Sequence, residues 1–431
     1  MADRKLLVVQ CAALGYNFLN DENGAAWNGL EFKPAESVFP AVTCTVQASF
    51  RTASPPSAHG MVANGFYHRD LSRPMFWEQS SALVSGPRIW EDFRRRGKRV
   101  AMLFWQQSLG EDVDVALSPA PIHKHHGGMI PDCYGKPDGL YARLCDAVGE
   151  EFSLADYWGP VASSASGNWI ASAAAALMAD AELACDLCFV YLPTLDFDLQ
   201  RFGPEDRNSE KALVALLAQL KRLTDAASAG GYDVLIFGDY AMAGVTEAVF
   251  PNRALLEAGL MKTRKIGHML YPDFYQSLAF AVADHEIAHV HVKDRADLDA
   301  VCKCLIATEG VAEVYDRAMQ KSFALDHPRS GEFVVVAKPG SWFAYPWWTS
   351  SGEAPEYSTH VDIHNKPGYD PCELFFGTFP TQVSTDTSRI LGSHGRAGGD
   401  RSACWASNCK FAAEPKTLIE LSAAVRDWLK E

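Results

Sequence analysis

Thr43 and the residues just before it could act on a phosphoryl group. The segment Phe39-Pro-Ala-Val-Thr43 places a hydroxyl where a loop is expected to turn into a helix. Because the first turn of a helix has free backbone N–H groups and a dipole that favours an anion, Thr43 is a candidate nucleophile for phosphoryl transfer. A threonine at this position is equally typical of an ordinary helix N-cap, so the residue type alone leaves both interpretations open.

A second segment lies sixteen residues further on and reads His59-Gly60-Met-Val-Ala-Asn64-Gly65. Together the two segments resemble the nucleotide pyrophosphatase/phosphodiesterase branch of the alkaline phosphatase superfamily. The resemblance implies that Thr43 forms a covalent phospho-enzyme and that Asn64 donates to a phosphoryl oxygen. It gives the His59-Gly60 pair a mainly structural role.

Two more segments match the places where this family holds two divalent metals, usually zinc. The segment that starts at Tyr191 keeps Asp196 in a ligand position but has Gln200 where the family has a histidine. The segment after the apolar run at 234–238 keeps Asp239 and has Tyr240 where a second histidine is expected. The resemblance therefore implies Asp196 and Asp239 as metal ligands with altered neighbours.

The remaining ligand positions lie near the two ends of the chain. The N-terminal strand should deliver an aspartate, but no acid follows it before Asp21. Near the C-terminus, Gly392-Ser-His394-Gly395 fits the final histidine ligand of the family, and His364 is an alternative ligand.

Three expected ligands are therefore absent, which bears on the cofactor. Zinc takes about four protein ligands in a closed site and three in a catalytic one, so two fully occupied zinc sites are not expected. The sequence predicts either a divalent metal, Zn²⁺ or Mg²⁺ or Mn²⁺, shared by the remaining ligands, or a metal-free site. In a metal-free site Tyr240 would donate to a phosphoryl oxygen or act as a general acid, with Arg201 or Lys366 as the source of positive charge.

The elements that must position these residues are typical of an α/β fold. Short apolar runs alternate with segments of helical periodicity, which predicts a mainly parallel sheet flanked by helices. Each strand ends in polar or small residues, where an open α/β sheet places its ligand site. The predicted strands are 6–11, 100–105, 187–192 and 234–238, and the predicted helices are 87–96, 140–148, 169–181 and 212–227.

After about residue 260 the pattern changes to a block of α+β type. We expect a strand pair or a long bent strand at 278–292, a helix at 296–308 and strands at 312–317 and 331–337. We therefore predict an alkaline-phosphatase-like core with a smaller inserted cap. The predicted divisions are 1–262 for the first part of the core, 263–355 for the cap, and 356–431 for the return to the core with a closing helix at 418–429.

Composition limits the classes of partner and compartment. With 39 basic and 53 acidic residues the net charge is −14, which argues against a nucleic-acid polymer or an anionic membrane as the partner. The eleven cysteines lack the dense spacing of a secreted disulfide scaffold, no apolar run approaches 18 residues, and no signal peptide is evident. We expect a soluble, reduced, cytoplasmic protein, and the sequence gives no indication of its oligomeric state.

Other chemically suggestive residues have ordinary explanations as well. His123-Lys-His125-His126 could bind a metal or form a solvated loop that lines the cleft, and His289-Val-His291 could bind zinc or form a polar strand face. The aromatic segment 342–348 could pack the cap on the core or stack a ring of the ligand. The pair Cys185 and Cys188 is expected to be structural.

Taken together, these features favour a phosphohydrolase or phosphodiesterase that acts on a small organic phosphate ester through Thr43, with an altered divalent-metal site. The missing ligands favour two alternatives. One is a pseudo-enzyme or ligand-binding protein that retains the fold. The other is a catalyst repurposed for non-hydrolytic chemistry.

Overall fold

The computed structural model describes residues 4–19, 26–126 and 128–431. Its two largest sheets contain twelve strands, labelled here in chain order: β1 (Leu6–Cys11), β2 (Lys33–Ala35), β3 (Val100–Leu103), β4 (Val115–Pro119), β5 (Cys133–Lys136), β6 (Leu187–Leu192), β7 (Asp233–Gly238), β8 (Ala279–Asp284), β9 (Ile287–Val292), β10 (Val311–Tyr315), β11 (Phe333–Ala337) and β12 (Ala403–Ser407).

The larger sheet has eight strands in the order β5-β4-β3-β6-β1-β7-β12-β2. Its five central strands, from β4 to β7, run parallel, and the outer strands pair antiparallel. In the register of the sheet, Cys11 at the end of β1 lies opposite Leu192 of β6 and Gly238 of β7. The carboxyl ends of these three strands therefore meet at one edge, where ligand sites of open α/β sheets form.

The smaller sheet has four antiparallel strands in the order β8-β9-β11-β10. It has a hydrophobic cluster of its own, in which Val282, Val290 and Val335 are buried with Leu305 of the helix that covers the sheet. The strands β8 and β9 form a tight hairpin, and its turn points a histidine at the edge of the larger sheet described above.

Helices cover both sheets. Those of seven residues or more are α1 (Thr43–Thr52), α2 (Leu140–Val148), α3 (Ser164–Ala179), α4 (Thr194–Phe202), α5 (Arg207–Gly230), α6 (Pro251–Glu257), α7 (Leu298–Ala307) and α8 (Leu418–Lys430). Shorter α-helical turns are Tyr16–Leu19, Pro56–His59, Glu91–Arg95, Leu154–Tyr157 and Arg317–Gln320. Among the described residues no helix has the length and apolarity that crossing a membrane requires.

Two-stranded ladders connect these parts. They pair Ala26–Trp27 with Leu30–Glu31, Gly65–His68 with Arg73–Phe76, Ile122–His123 with Met129–Ile130, Ala243–Gly244 with Gly392–Ser393, Glu247–Val249 with Ser341–Phe343, and Thr263–Ile266 with Met269–Pro272.

Local sequence explains why the main elements form. All six residues of β1 are buried, as are those of β6, because helices cover both faces of a parallel sheet. In α5 the Asp206 side chain accepts a hydrogen bond from the N–H of Asn208, and Gly231 ends the helix in the left-handed region at φ 72°. Helix α8 begins with a capping box in which Thr417 and Glu420 bond each other's backbone N–H groups.

Most of the predicted elements are confirmed, with shifts at their ends. The predicted helix at 87–96 shortens to Glu91–Arg95, and before it the N–H of Ile89 donates to the carbonyl of Arg51 in α1 instead of to a residue of its own segment. The segment 278–292 is a strand pair, β8 and β9, and not one bent strand. The division into a core and an inserted cap stays a prediction.

Candidate functional site

A cavity of about 690 Å³ opens at the carboxyl ends of β1, β6 and β7. We call it the central cavity. Its inner part is lined by Thr43, Tyr191, Asp196, Tyr240, His285 and His394. Its outer part carries an aromatic wall made of Trp77, Phe152, Tyr157, Trp158 and Phe197.

Thr43 is the first residue of α1, and the residue at the N-cap position is Val42. The N-cap interpretation of Thr43 is therefore wrong. All ten residues of α1 are buried, so the first turn of the helix is fixed in the interior while Thr43 borders the cavity. Burial raises the pKa of Tyr191 and of Tyr240 well above the usual range, and hydrogen bonding with Thr43 opposes that shift in both.

Asn64 supports the beginning of α1. Its Oδ1 accepts a hydrogen bond from the N–H of Cys44 (3.0 Å), and its own N–H and Nδ2 donate to the two carboxylate oxygens of Asp284 at 2.8 and 3.1 Å. The residue is 2% exposed and lies behind Thr43 without lining the central cavity. The contacts place Asn64 beside the candidate nucleophile, whereas its donation to a phosphoryl oxygen stays a prediction.

Asp196 lines the cavity, and both of its oxygens accept hydrogen bonds from side chains. The Tyr240 hydroxyl donates to Oδ1 (2.8 Å) and Gln200 Nε2 donates to Oδ2 (2.6 Å). Gln200 is held in turn by Tyr369, whose hydroxyl donates to Oε1 at 2.9 Å. Burial raises the pKa of Asp196, and these donors moderate the shift. The two replaced ligand positions have therefore become donors to the carboxylate that remains.

Asp239 is fully buried in a separate network. Gln10 Nε2 donates to Oδ2 (2.9 Å), while the backbone N–H groups of Ala13 and Tyr240 donate to Oδ1 at 2.9 and 3.0 Å. Burial raises its pKa to about 8, with Gln10 and the Ala13 N–H acting in the opposite direction. Asp239 does not line the central cavity and fastens the ends of β1 and β7 to each other.

His394 lines the inner part of the central cavity. Its Nδ1 bonds the carbonyl of Ala41 (2.8 Å), and its Nε2 is 3.9 Å from Asp196 Oδ1 without a hydrogen-bond partner. The ring stacks on Tyr240 with centroids 3.5 Å apart and planes at 4°. Burial lowers the pKa of His394 well below its usual value, and the neighbouring His285 acts in the same direction.

The donor set does not fit the two-zinc centre that the sequence resemblance implies. Within residues 4–19, 26–126 and 128–431 no group of three His, Cys, Asp or Glu side chains is arranged to hold a metal. Only Asp196 and His394 converge, Gln200 presents its amide donor rather than a lone pair, and Asp239 is engaged elsewhere. A catalytic zinc needs three protein ligands. Asp21, the first acid after β1, lies outside the described residues.

The structure adds His285, which the sequence analysis did not select. It occupies the turn between β8 and β9 at φ 62°, and its Nδ1 lies 2.7 Å from Asp284 Oδ1. Its ring stacks against Tyr369 (centroids 3.7 Å apart) and borders His394 (3.8 Å). A signal was present in the sequence, because Asp-His-Glu interrupts an apolar run of strand residues, but nothing local indicates where that turn points.

The other predicted candidates are distributed differently. His364 lines the cavity, but its Nδ1 bonds the carbonyl of Phe76 and its ring contacts His123, so neither histidine joins Asp196. His123 thus lines the cavity, which was one of the two possibilities that the sequence offered for its segment.

The two cations proposed as substitutes for the metal are structural, and that expectation is wrong. Arg201 donates to the carbonyls of Ala162 and Leu374. Lys366 is buried and pairs with Asp370 and Glu373 at 2.7 Å each. Tyr240, the predicted general acid, has its proton committed to Asp196.

Two other groups also have structural roles. His289 bonds the carbonyl of Val62 and accepts from the N–H of Gly331, which satisfies both ring nitrogens. The aromatic segment 342–348 is buried with the smaller sheet or next to it and does not border the central cavity. The rings that do line the central cavity are those of the aromatic wall.

The fold is shared with enzymes of known structure. Phosphonoacetate hydrolase from Sinorhizobium meliloti 1021, solved with phosphonoacetate, superposes with a TM-score of 0.63 at 15% identity, over 99% of this chain and 95% of that one. Murine ectonucleotide pyrophosphatase/phosphodiesterase 5 gives 0.59 at 14% identity with the same coverage. These likenesses confirm the alkaline-phosphatase-like α/β fold.

Sequence comparison identifies the family. A search of curated proteins gives no match. The family model described as type I phosphodiesterase / nucleotide pyrophosphatase matches residues 23–370, which include the candidate nucleophile, both retained aspartates and the hairpin of the smaller sheet. The chain therefore belongs to the type I phosphodiesterase / nucleotide pyrophosphatase family, a group of phosphate-ester hydrolases in the alkaline phosphatase superfamily.

Proposed function

We propose that this protein hydrolyses esters of small organic phosphates through a covalent intermediate on Thr43. The observation that carries the proposal is the position of Thr43. It begins a buried helix, it borders the central cavity, and it belongs to a segment that matches the family. A nucleophile in that position needs no rearrangement of the backbone to meet a ligand.

The proposed chemistry relies on groups of the chain itself. The Thr43 Oγ attacks phosphorus and displaces an alcohol, and water then hydrolyses the phosphoryl-threonine. Backbone N–H groups in the first turn of α1 and the helix dipole stabilise the charged oxygens during both steps. Because phosphoryl transfer depends mainly on positioning and on stabilising charge, such groups are suited to it. No step requires the two-zinc centre that the donor set does not fit.

The charge of the central cavity bears on the class of ester. Its described lining residues include Glu151, Asp196 and Asp362 but neither lysine nor arginine. A site of this kind holds a single negative charge more readily than two or more, so we propose phosphodiesters in preference to dianionic monoesters or polyphosphates. The aromatic wall would hold the organic group, since rings and apolar chains gain free energy there when water is excluded.

The test compares bis(4-nitrophenyl) phosphate with 4-nitrophenyl phosphate as substrates. We expect faster turnover of the diester and a loss of about 10³-fold or more in kcat/KM in Thr43→Ala, because removing a nucleophile removes the covalent route. Thr43→Ser keeps a hydroxyl and is the matched control, which should retain much of the activity. Mass spectrometry of acid-quenched protein should find the phosphoryl group on Thr43. Equal activity of Thr43→Ala and the unaltered protein would refute the mechanism.

A second function has a specific observation in its favour. The oxygens of Asp196 and Asp239 are already hydrogen-bonded within the protein, as expected for a cavity that holds a ligand without turning it over. Calorimetry with a non-hydrolysable phosphonate diester separates the two. Tight binding of this analogue, together with bis(4-nitrophenyl) phosphate that remains intact after prolonged incubation with the protein, would support a binding protein. Transfer of the phosphoryl group to an added alcohol instead of water would indicate a non-hydrolytic catalyst.

A further inference from the structure

The turn that joins β8 to β9 places a histidine in the central cavity at a conformational cost. His285 has φ 62°, a left-handed conformation that residues with a side chain rarely adopt. Such conformations persist where the surroundings hold them, and they concentrate at functional sites. Here the surroundings are Tyr369 on one side of the ring and His394 on the other.

Asp284 connects this histidine to the residues next to the candidate nucleophile. The carboxylate is fully buried and accepts from His285 Nδ1 and from two nitrogens of Asn64. Asn64 in turn accepts from the N–H of Cys44, which directly follows Thr43. An unbroken chain of hydrogen bonds therefore links the turn of the smaller sheet to the first turn of α1.

The contacts of His285 define which nitrogen is available. Nδ1 is engaged with Asp284, which fixes the ring orientation and leaves Nε2 as the nitrogen that can meet a ligand. The ring lines the same cavity as Thr43, although its side chain is only 4% exposed. A carboxylate that holds one nitrogen of a histidine, in a cavity that also contains a hydroxyl nucleophile, is an arrangement suited to proton transfer.

The other candidates for proton transfer, Tyr240 and His394, are both directed at Asp196. The Tyr240 hydroxyl gives its proton to Asp196. Of the two histidines in the inner cavity, His285 is the one that a carboxylate orients, whereas Nδ1 of His394 bonds a backbone carbonyl and its Nε2 lies 3.9 Å from Asp196.

We propose that His285 is the proton-transfer residue of this site and that Asp284 is its positioning residue. This inference rests on the proposed function. His285 Nε2 accepts the proton of the Thr43 hydroxyl as the Oγ–P bond forms, and it gives that proton to the ester oxygen as the bond from phosphorus to the leaving group breaks. In the second half the same nitrogen takes a proton from water as the water oxygen bonds phosphorus, and it returns the proton to Thr43 Oγ.

The decisive variant is His285→Gly. Glycine adopts φ 62° without strain, so the turn should fold, and the missing ring leaves space for imidazole from solution. The substrates are methyl phenyl phosphate and methyl 4-nitrophenyl phosphate, because phenolate needs a proton on departure more than 4-nitrophenolate does. We expect kcat to fall about 10²- to 10⁴-fold for the phenyl ester and at least about tenfold less for the nitrophenyl ester.

Four further measurements complete the test. Added imidazole should restore part of the activity of His285→Gly, and Asp284→Asn should move the ratio between the two esters in the same direction. The control is His268→Gly, which removes an exposed histidine from another hairpin turn and should change neither rate. Thermal unfolding of each variant shows that it is folded.

The possible results separate the two proposals. Equal losses for both esters without rescue by imidazole would overturn the role of His285, while an inactive Thr43→Ala beside an active unaltered protein would leave the proposed function standing. Activity of His285→Gly equal to that of the unaltered protein would also overturn it. Failure of the unaltered protein to cleave either ester would overturn both proposals.

Discussion

The two sides of the central cavity follow the family pattern to different degrees. On the helix side, the sequence has the Thr43 and Asn64 of the family motif. Asn64 Oδ1 accepts a hydrogen bond from the N–H of Cys44, the residue that follows Thr43 at the beginning of α1. On the carboxylate side, Asp196 and Asp239 are retained, but their partners are Gln200, Tyr240 and Gln10, all of which donate hydrogen bonds.

This difference shows that the changes on the carboxylate side are mutually consistent. A carboxylate that loses a metal is a buried charge without a partner, which is costly. Here both oxygens of each aspartate accept hydrogen bonds from groups of the protein, which is the solvation that a buried acid needs. In the proposed mechanism the helix side stabilises anions through the dipole and backbone groups of α1, which side-chain substitutions do not remove.

Asp239→Ala should produce the largest effect on folding. If Asp239 has a structural role, its removal leaves the amide of Gln10 and the buried N–H groups of Ala13 and Tyr240 without an acceptor. Each buried donor without an acceptor lowers the free energy of unfolding by about 1–3 kcal/mol. We expect a decrease of about 3 kcal/mol or more in the free energy of unfolding, measured in urea with and without a chelator. Asp239→Asn is the matched control and should lose less. Unchanged or increased stability would indicate that Asp239 is a ligand awaiting a cation.

Restoring the two histidines of the family pattern should turn the carboxylate side into a zinc site. In the double variant Gln200→His, Tyr240→His, the two positions supply imidazole lone pairs instead of hydrogen-bond donors. Asp196 then has three histidine side chains around it, those at positions 200, 240 and 394. We expect zinc affinity to rise about 100-fold or more over the unaltered protein, as measured by competition with a chromophoric chelator. Gln219→His is the control, at a buried glutamine whose Oε1 accepts a hydrogen bond from the Thr194 hydroxyl away from the cavity. Equal affinity in both proteins would contradict the account of the carboxylate side.

Asn64→Ala tests the helix side with a smaller effect. The substitution removes the acceptor for the Cys44 N–H and one of the donors to Asp284, while the backbone N–H of residue 64 remains. We expect a loss of about 1–3 kcal/mol in the free energy of unfolding and reduced diester turnover. The exposed Asn17, whose side chain donates to the carbonyl of Asp400, gives the control Asn17→Ala. A fully active and stable Asn64→Ala would show that neither folding nor turnover depends on the hydrogen bonds that link α1 to the hairpin.

Sequence was informative where periodicity or a motif acts locally. The parallel strands, the beginning of α1 at Thr43 and the replacement residues Gln200 and Tyr240 were all accessible in this way, since each lies in a short apolar run or a short motif. Lys366 was misjudged as a free cation although Asp370 lies four residues further on, a spacing that predicts an ion pair on a helical turn.

His285 could not have been selected in the same way. It reaches the site only because the hairpin of the smaller sheet packs against the larger one, 242 residues after Thr43 in the chain. No local pattern encodes that approach. The aromatic wall is similar, because its rings come from segments as far apart as Trp77 and Phe197, whereas the contiguous aromatic run at 342–348 is buried elsewhere.

The smallest expected effect is that of removing metal from the unaltered protein. The carboxylate side presents two converging metal donors, Asp196 and His394, and a site with fewer than three protein ligands holds zinc poorly. Dialysis against EDTA should therefore change diester turnover by less than about twofold, and elemental analysis before dialysis should find well under one metal per chain. The Gln200→His, Tyr240→His protein treated in parallel should lose its metal and thereby confirm that the chelator acts. A large loss of activity in the unaltered protein, restored by a single divalent metal, would mean that ligand phosphate oxygens complete a site that the protein begins with Asp196 and His394, and the two sides of the cavity would then differ in degree rather than in kind.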